Sequence, residues 1–260
     1  MTKSARTPGS AAKGALWGSY PEVALGLPPS VGVAYWDDFV RLGASGYGDL
    51  DWEIYNSAAI TTATRQTPSA ESEIGIYHFD QTNSNRTHIL NLGFAASRPY
   101  FTLPPVGTIW AIKIKHASLT SGQTLFAGFL EATIAPLTAN NVDFVGIRNE
   151  ALTVGPVSWF GVCKEGAGSG NEQTIDLGVL GSISLWNVFG FEILPEGIQF
   201  FQLNLSNPGR VGRTNIGNPL TLHFPSAPMT PVFGFSTHTA GNRGFDIDWI
   251  GWGGRFRRKV

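Results

Sequence analysis

Apolar and polar residues alternate along this chain in short runs, and no run keeps a helical period. Ile109–His116 is the clearest: Trp110, Ile112 and Ile114 point one way, Lys113 and Lys115 the other. Period-two alternation is the pattern of a strand with one buried face. Phe189, Phe191 and Ile193 alternate with Gly190 and Glu192, and Phe233 and Phe235 with Gly234 and Ser236. Phe245, Ile247 and Trp249 alternate with Asp246 and Asp248, which puts the two carboxylates on one face. Weaker strands are expected at Tyr35–Val40, Trp52–Tyr55, Ile74–Phe79, Leu125–Leu130, Phe144–Arg148, Val157–Cys163 and Ile198–Leu205. Turn formers separate them: Thr120–Gly122, Gly166–Asn171, Pro195–Gly197 and Asn207–Gly209. Each bends the chain through glycine's positive φ or proline's fixed φ.

Composition narrows the architecture. The 260 residues include 32 Gly and 16 Pro, and only 14% are charged. That is too little charge for a coiled coil or a charge-rich disordered chain. The glycines follow no three-residue period, which excludes collagen. Polar links at Asp80–Arg86, Ala135–Asn141 and Asn215–Leu222 read as crossovers between sheets. Crossovers of that kind belong to a Greek-key or jelly-roll topology rather than to an up-and-down barrel. The expected fold is therefore all-β, a two-sheet antiparallel jelly-roll sandwich with an extended N-terminal arm. Residues 1–30, rich in Ser, Ala, Gly and Pro, form the arm; 31–254 form the sandwich; 255–260 form a basic tail.

The formal net charge of -1 conceals an uneven distribution. Lys3, Arg6 and Lys13 are the only charged residues before Glu22, and Arg255, Arg257, Arg258 and Lys259 crowd the other extremity. Setting those seven aside leaves 11 basic residues against 19 acidic ones. An acidic body with basic extremities is not a general nucleic-acid binder. The extremities read as solubilising ends or as segments that dock on an acidic surface. Trp17 and Tyr20 in the arm are residue types that anchor interfaces. Trp252, in Gly251–Gly254 where the last sheet strand should end, reads either as an anchor of the same kind or as a cap on the sandwich. No segment reaches the roughly 20 apolar residues that span a bilayer. The first twenty residues hold no apolar stretch of signal-peptide length, so synthesis and assembly are expected in a cytoplasm.

Two segments carry a resemblance. Tyr35–Trp36–Asp37–Asp38–Phe39 opens the β region and Phe245–Asp246–Ile247–Asp248–Trp249–Ile250 closes it. Together with Leu125–Phe126–Ala127–Gly128–Phe129, they resemble the concanavalin A-like jelly roll. That resemblance implies that the first and last strands run side by side. The layout as a whole is most similar to jelly-roll virion proteins of tailed phages, among them capsid decoration proteins and head or tail fibre components. It covers roughly residues 33–252.

No residue constellation points to catalysis, a cofactor or a metal. In the concanavalin-like glucanases, carboxylates on alternate residues of one strand face a cleft. This matches the demand of retaining hydrolysis for an acid and a nucleophile on opposite sides of one bond. Asp246 and Asp248 alternate, but Gly244 precedes them and Ile250 follows, so the glutamates of that signature are absent from this strand. Asn140, Asn141 and Asp143, or Asp80, Asn83 and Asn85, are the nearest approach to a calcium loop, and neither has a metal-loop spacing. The histidines at 78, 88, 116, 223 and 238 have no zinc spacing. Cys163, the single cysteine, sits in an apolar run and reads as a small core residue.

The leading expectation is a non-enzymatic virion structural protein, a capsid decoration or cement protein. It would be a homotrimer, assembled in the host cytoplasm onto the major capsid protein or other virion proteins. Arm-mediated contacts through Lys3, Arg6, Lys13, Trp17 and Tyr20, together with Trp252, Arg255, Arg257 and Arg258, would hold it. The alternative is a glycan-binding, lectin-like receptor-binding or adhesion module of a phage fibre, taking surface glycans. Neither a nucleic-acid partner nor a membrane is expected.

Overall fold

The computed structural model describes residues 33–37, 52–56, 62–65, 77–81, 86–91, 106–116, 123–131, 143–151, 158–166, 168–179, 186–203, 213–227, 229–237 and 243–254. These residues form two antiparallel sheets packed face to face. One sheet holds β1 (Val33–Asp37), β3 (Thr62–Arg65), β4 (Tyr77–Gln81), β6 (Ile109–His116), β11 (Asn187–Leu194), β12 (Gly197–Leu203), β13 (Arg213–Leu220) and β15 (Arg243–Gly254). Its order is β13-β12-β11-β6-β15-β4-β3, with β1 also paired to β15. The second sheet holds β2 (Glu53–Asn56), β5 (Arg86–Asn91), β7 (Gln123–Glu131), β8 (Phe144–Ala151), β9 (Ser158–Lys164), β10 (Glu172–Val179) and β14 (Met229–Thr237). Its order is β10-β9-β8-β7-β14-β5-β2. The expected jelly-roll sandwich is thus the fold, and its first and last strands do run side by side, Val33 opposite Gly254 and Asp37 opposite Ile250.

The core lies between the sheets. Trp110, Ile112 and Ile114 face inward from β6, with Phe189, Phe191 and Ile193 from β11 and Leu125, Ala127 and Phe129 from β7. Each fully buried side chain of this size contributes roughly 1.5–3 kcal/mol. Edge-to-face ring contacts order the middle of the core: Trp52 against Trp252 at 5.9 Å, Trp252 against Phe129 at 6.5 Å, and Phe129 against Phe191 at 6.0 Å. The buried carboxylate of Asp37 accepts the Trp52 indole N–H at 2.9 Å. The acidic residue that opens the β region is therefore a partner for a core indole.

Four strands, β3, β5, β10 and β13, were not foreseen from alternation. The segment Asn215–Leu222, expected as a polar crossover, is mostly the edge strand β13. Its register slips against β12 between Ile198 and Phe200. The buried Gln199 amide fills that irregularity, donating to the carbonyls of Ile216 and Gly217 at 3.3 and 3.0 Å. Gly217 takes a left-handed φ of 65°, and the Ile175 side chain of β10 occupies the space a Cβ would need. A polar edge strand with a bulge defeats a period-two reading because its hydrogen bonds and its one packed side come from neighbours.

A bulge also corrects the closing strand. Pairing between β15 and β6 shifts between Ile247 and Trp249. Ile247 stands opposite Ile114 and faces the core, but Trp249 stands opposite Lys113, on the outer face. Ile250 and Trp252 then stand opposite Ile112 and Trp110 and return to the core. Strict alternation puts Trp249 inside and Ile250 with the aspartates. One inserted residue reverses every assignment after it.

Candidate functional site

Asp246 and Asp248 occupy the outer face of the eight-stranded sheet. Asp246 lies 3.1 Å from the Lys115 ammonium and Asp248 lies 2.5 Å from that of Lys113. Both ammonium groups sit over the Trp186 ring, 4.7 and 4.9 Å from its centre. The arrangement is a two-by-two ladder of alternating charge laid on an indole. Each carboxylate is paired with a cation.

The outer face of the seven-stranded sheet carries a second apolar layer, with Phe126, Leu130, Phe144, Val162 and Val232 all buried. Gly128 and Gly146 face each other across β7 and β8 within it. A Cβ on either would strike the opposite backbone, and Gly128 holds a φ of 153° that side chains rarely adopt. Glycine here is what lets the two strands pass with phenylalanines on both sides. Arg148 spans this layer to Glu172, donating from both terminal nitrogens at 2.8 and 2.6 Å. Lys164 stands 3.8 Å from the same carboxylate. Burial alone would raise the Glu172 carboxyl, but the hydrogen bonds and charge of Arg148, with Lys164, outweigh it and hold the group below the ordinary carboxylate range. Glu172 is an ionised bridge rather than an acid.

The feature that gathers the sequence's unusual residues is one end of the sandwich. Val33 and Gly254 are paired there, so the arm and the tail join the body at a common point. Gly253 stands opposite Ile109, and the Gly107 N–H reaches the Ile193 carbonyl at 2.7 Å, which extends that end across β6 and β11. The Pro195–Glu196 turn and the loop 221–227 complete it. Three side chains from the other sheet hold the loop. Gln173 Oε1 accepts the N–H groups of Thr221 and Leu222 at 2.9 and 3.0 Å. The Cys163 thiol donates to the His223 carbonyl at 3.2 Å. Asp143 Oδ2 accepts from Ser226 and Ala227 at 2.6 and 2.7 Å, while Oδ1 accepts from Gly166 at 2.5 Å. His223 takes a left-handed φ of 59° between these fastenings.

Among the described residues the charge at this end is acidic. Glu131, Asp143, Glu165, Glu172, Glu192 and Glu196 lie on its strand ends and turns, against Lys164 and the guanidinium of Arg148. Cys163 feels it: burial first, then the charges of Asp143 and Glu165, push its thiol up to about 12. The cysteine is a buried hydrogen-bond donor in the core, in keeping with its apolar surroundings in the sequence. Val106 and Leu222, 55% and 56% exposed, are the large apolar side chains exposed among the described residues, and both stand at this end.

Trp252 is 0% exposed and packs against Trp52 and Phe129. The expectation that it anchors an outside partner gives way to a core position, because the bulge in β15 turns its ring inward. Lys3, Arg6, Lys13, Trp17, Tyr20, Arg255, Arg257 and Arg258 lie outside the described residues, as do Asn83, Asn85, Asn140 and Asn141. Asp143, read as a candidate calcium ligand, spends both oxygens on backbone N–H groups. The fastening of loop 221–227 was missed in the sequence, since its three donors and acceptors are single polar residues tens of positions away.

No protein-family model and no curated protein sequence matches this chain. Its structure is similar to that of a protein of unknown function from Shewanella oneidensis MR-1, with a TM-score of 0.61 and 13% identity over 100% of both chains. It is also similar, at a TM-score of 0.49 and 12% identity, to a beta-1,3-glucanase from Mycobacterium marinum, over 84% of this chain and 97% of that one. An immunostimulatory antigen and pseudo beta-1,3-glucanase of Mycobacterium tuberculosis gives 0.48 and 12%, over 85% and 98%. At such identities the likeness is one of fold, a sandwich of two antiparallel sheets.

Proposed function

We propose that this chain is a non-enzymatic structural subunit of a tailed-phage virion, a capsid decoration protein whose extremities hold it in place. The observation that carries the reading is the pairing of Val33 with Gly254. Both basic extremities leave from one end of the sandwich, so the body stands off as a unit from whatever they grip. Several carboxylates and indoles of the body are already engaged by the fold itself. Asp246, Asp248 and Glu172 are in ion pairs, Asp37 and Asp143 bind N–H groups of the fold, and Trp52, Trp110, Trp159, Trp249 and Trp252 are buried. A segment that orders on a neighbour adds contact area across a subunit boundary and resists its opening. The partners of this reading are the major capsid protein and sister subunits, as a homotrimer assembled in the host cytoplasm.

Deleting residues 1–30 tests it. The truncated chain should unfold at the temperature of the full chain yet fail to enter particles. Full occupancy of heads by the truncated chain would defeat the proposal.

A glycan-binding reading has one foothold. Trp186 is partly exposed, unlike the five buried indoles, and it is flanked by two ammonium groups and two carboxylates. Saturable binding on a glycan array, lost in Trp186→Ala, would favour that reading over the structural one.

A further inference from the structure

We propose that the end of the sandwich built from the Pro195–Glu196 turn and loop 221–227 receives the basic tail, residues 255–260, of a second copy of this chain. The inference rests on the subunit reading above and names the surface through which copies meet.

Four observations converge on it. Val106 and Leu222 are exposed at this end in the single chain, so a second copy finds them open. Leu222 is also fixed. Gln173 holds its N–H and that of Thr221, and Cys163 and Asp143 hold the residues that follow. A pre-ordered contact residue loses little entropy on docking. The charge is complementary: exposed Glu165 and Glu196 belong to this end, while Lys164 is engaged with Glu172. The tail reads Arg255–Phe256–Arg257–Arg258–Lys259–Val260, four cations for the carboxylates and two apolar residues for Val106 and Leu222. Finally, the tail begins at Gly254, on the same end that it would meet in its partner. Six residues reach roughly 20 Å, about the width of four strand spacings, so the tail of one copy reaches the next when these ends are brought together. Tail into end is a heterologous contact, which closes into a ring when the rotation permits.

Sedimentation of the full chain tests the proposal against a chain ending at Gly254 and against a Glu165→Lys/Glu196→Lys variant, with circular dichroism confirming that each is folded. The full chain should self-associate at about 0.05 M salt and weaken at least about tenfold near 0.5 M, where charges are screened beyond a few ångströms. Truncation and the glutamate variant should each yield monomer. Combining the glutamate variant with Arg255→Glu, Arg257→Glu and Arg258→Glu should restore association. A full chain that is monomeric at all salts, or association untouched by truncation, would overturn it. Deleting residues 1–30 should leave this association intact, which separates its failure from failure of the arm in particle binding.

Discussion

The two ends of the sandwich handle charge in opposite ways. Toward the far end, Lys113 and Lys115 meet Asp248 and Asp246 across adjacent strands, each described carboxylate there facing a cation. At the end where the termini join, carboxylates outnumber cations among the described residues, and the buried Asp143 is compensated by three backbone N–H groups. The difference has a physical consequence. Ion pairs on an accessible sheet face are weak and screened by salt, whereas a buried carboxylate bound by N–H groups fixes the loops that supply them. The far end is neutralised; the near end is organised and left acidic.

The largest effect that can break this contrast lies at Asp143. Asp143→Ala removes the acceptor of three N–H groups, each bond to a charged group being worth about 1.5–3 kcal/mol. Urea unfolding should show a loss of about 3 kcal/mol or more, and a loss below 1 would mean that the loops hold without it. Next comes Arg148→Met, which leaves Glu172 near Lys164 without its bidentate partner. A loss of about 2 kcal/mol is expected, below the range for a fully buried pair because Glu172 is partly accessible. Its pH dependence sharpens the case. Because the folded carboxyl lies below its unfolded value, the stability it adds is complete above about pH 4–5 and lost as pH falls through the folded value. The advantage of the native chain over Glu172→Gln should therefore be full at neutral pH and vanish in acid; an advantage that persists in acid refutes the assignment. The smallest effect belongs to the far end. Lys113→Met should cost only about 0.5–1 kcal/mol, and less in high salt, and a cost matching that of Asp143→Ala would erase the contrast between the ends.

Much of this architecture was legible in the residues, and the exceptions have one cause. Ile109–His116, Phe189–Ile193 and Phe233–Ser236 each lie within a strand in the structure, because a half-buried strand advertises itself by alternation. The Pro195–Gly197 turn stands between β11 and β12 as glycine and proline chemistry requires. Trp249 and Ile250 exchange faces because alternation counts residues, and a bulge adds one that no local pattern announces. Edge strand β13 escaped notice for the same reason, its irregular register being held by Gln199 from β12.

By itself the sequence determined the class of fold, the adjacency of first and last strands through its resemblance, and the division into an acidic body and basic extremities. Those follow from local period, turn chemistry and charge counting, which need no knowledge of what lies across the sheet. Tertiary structure alone decided which end of the sandwich receives both extremities, that Asp143 and Gln173 tie loop 221–227 to the opposite sheet, and that the bulge at Asp248 turns Trp252 into the core. Each depends on the register between strands distant in sequence, and register is a property of the packed pair rather than of either strand.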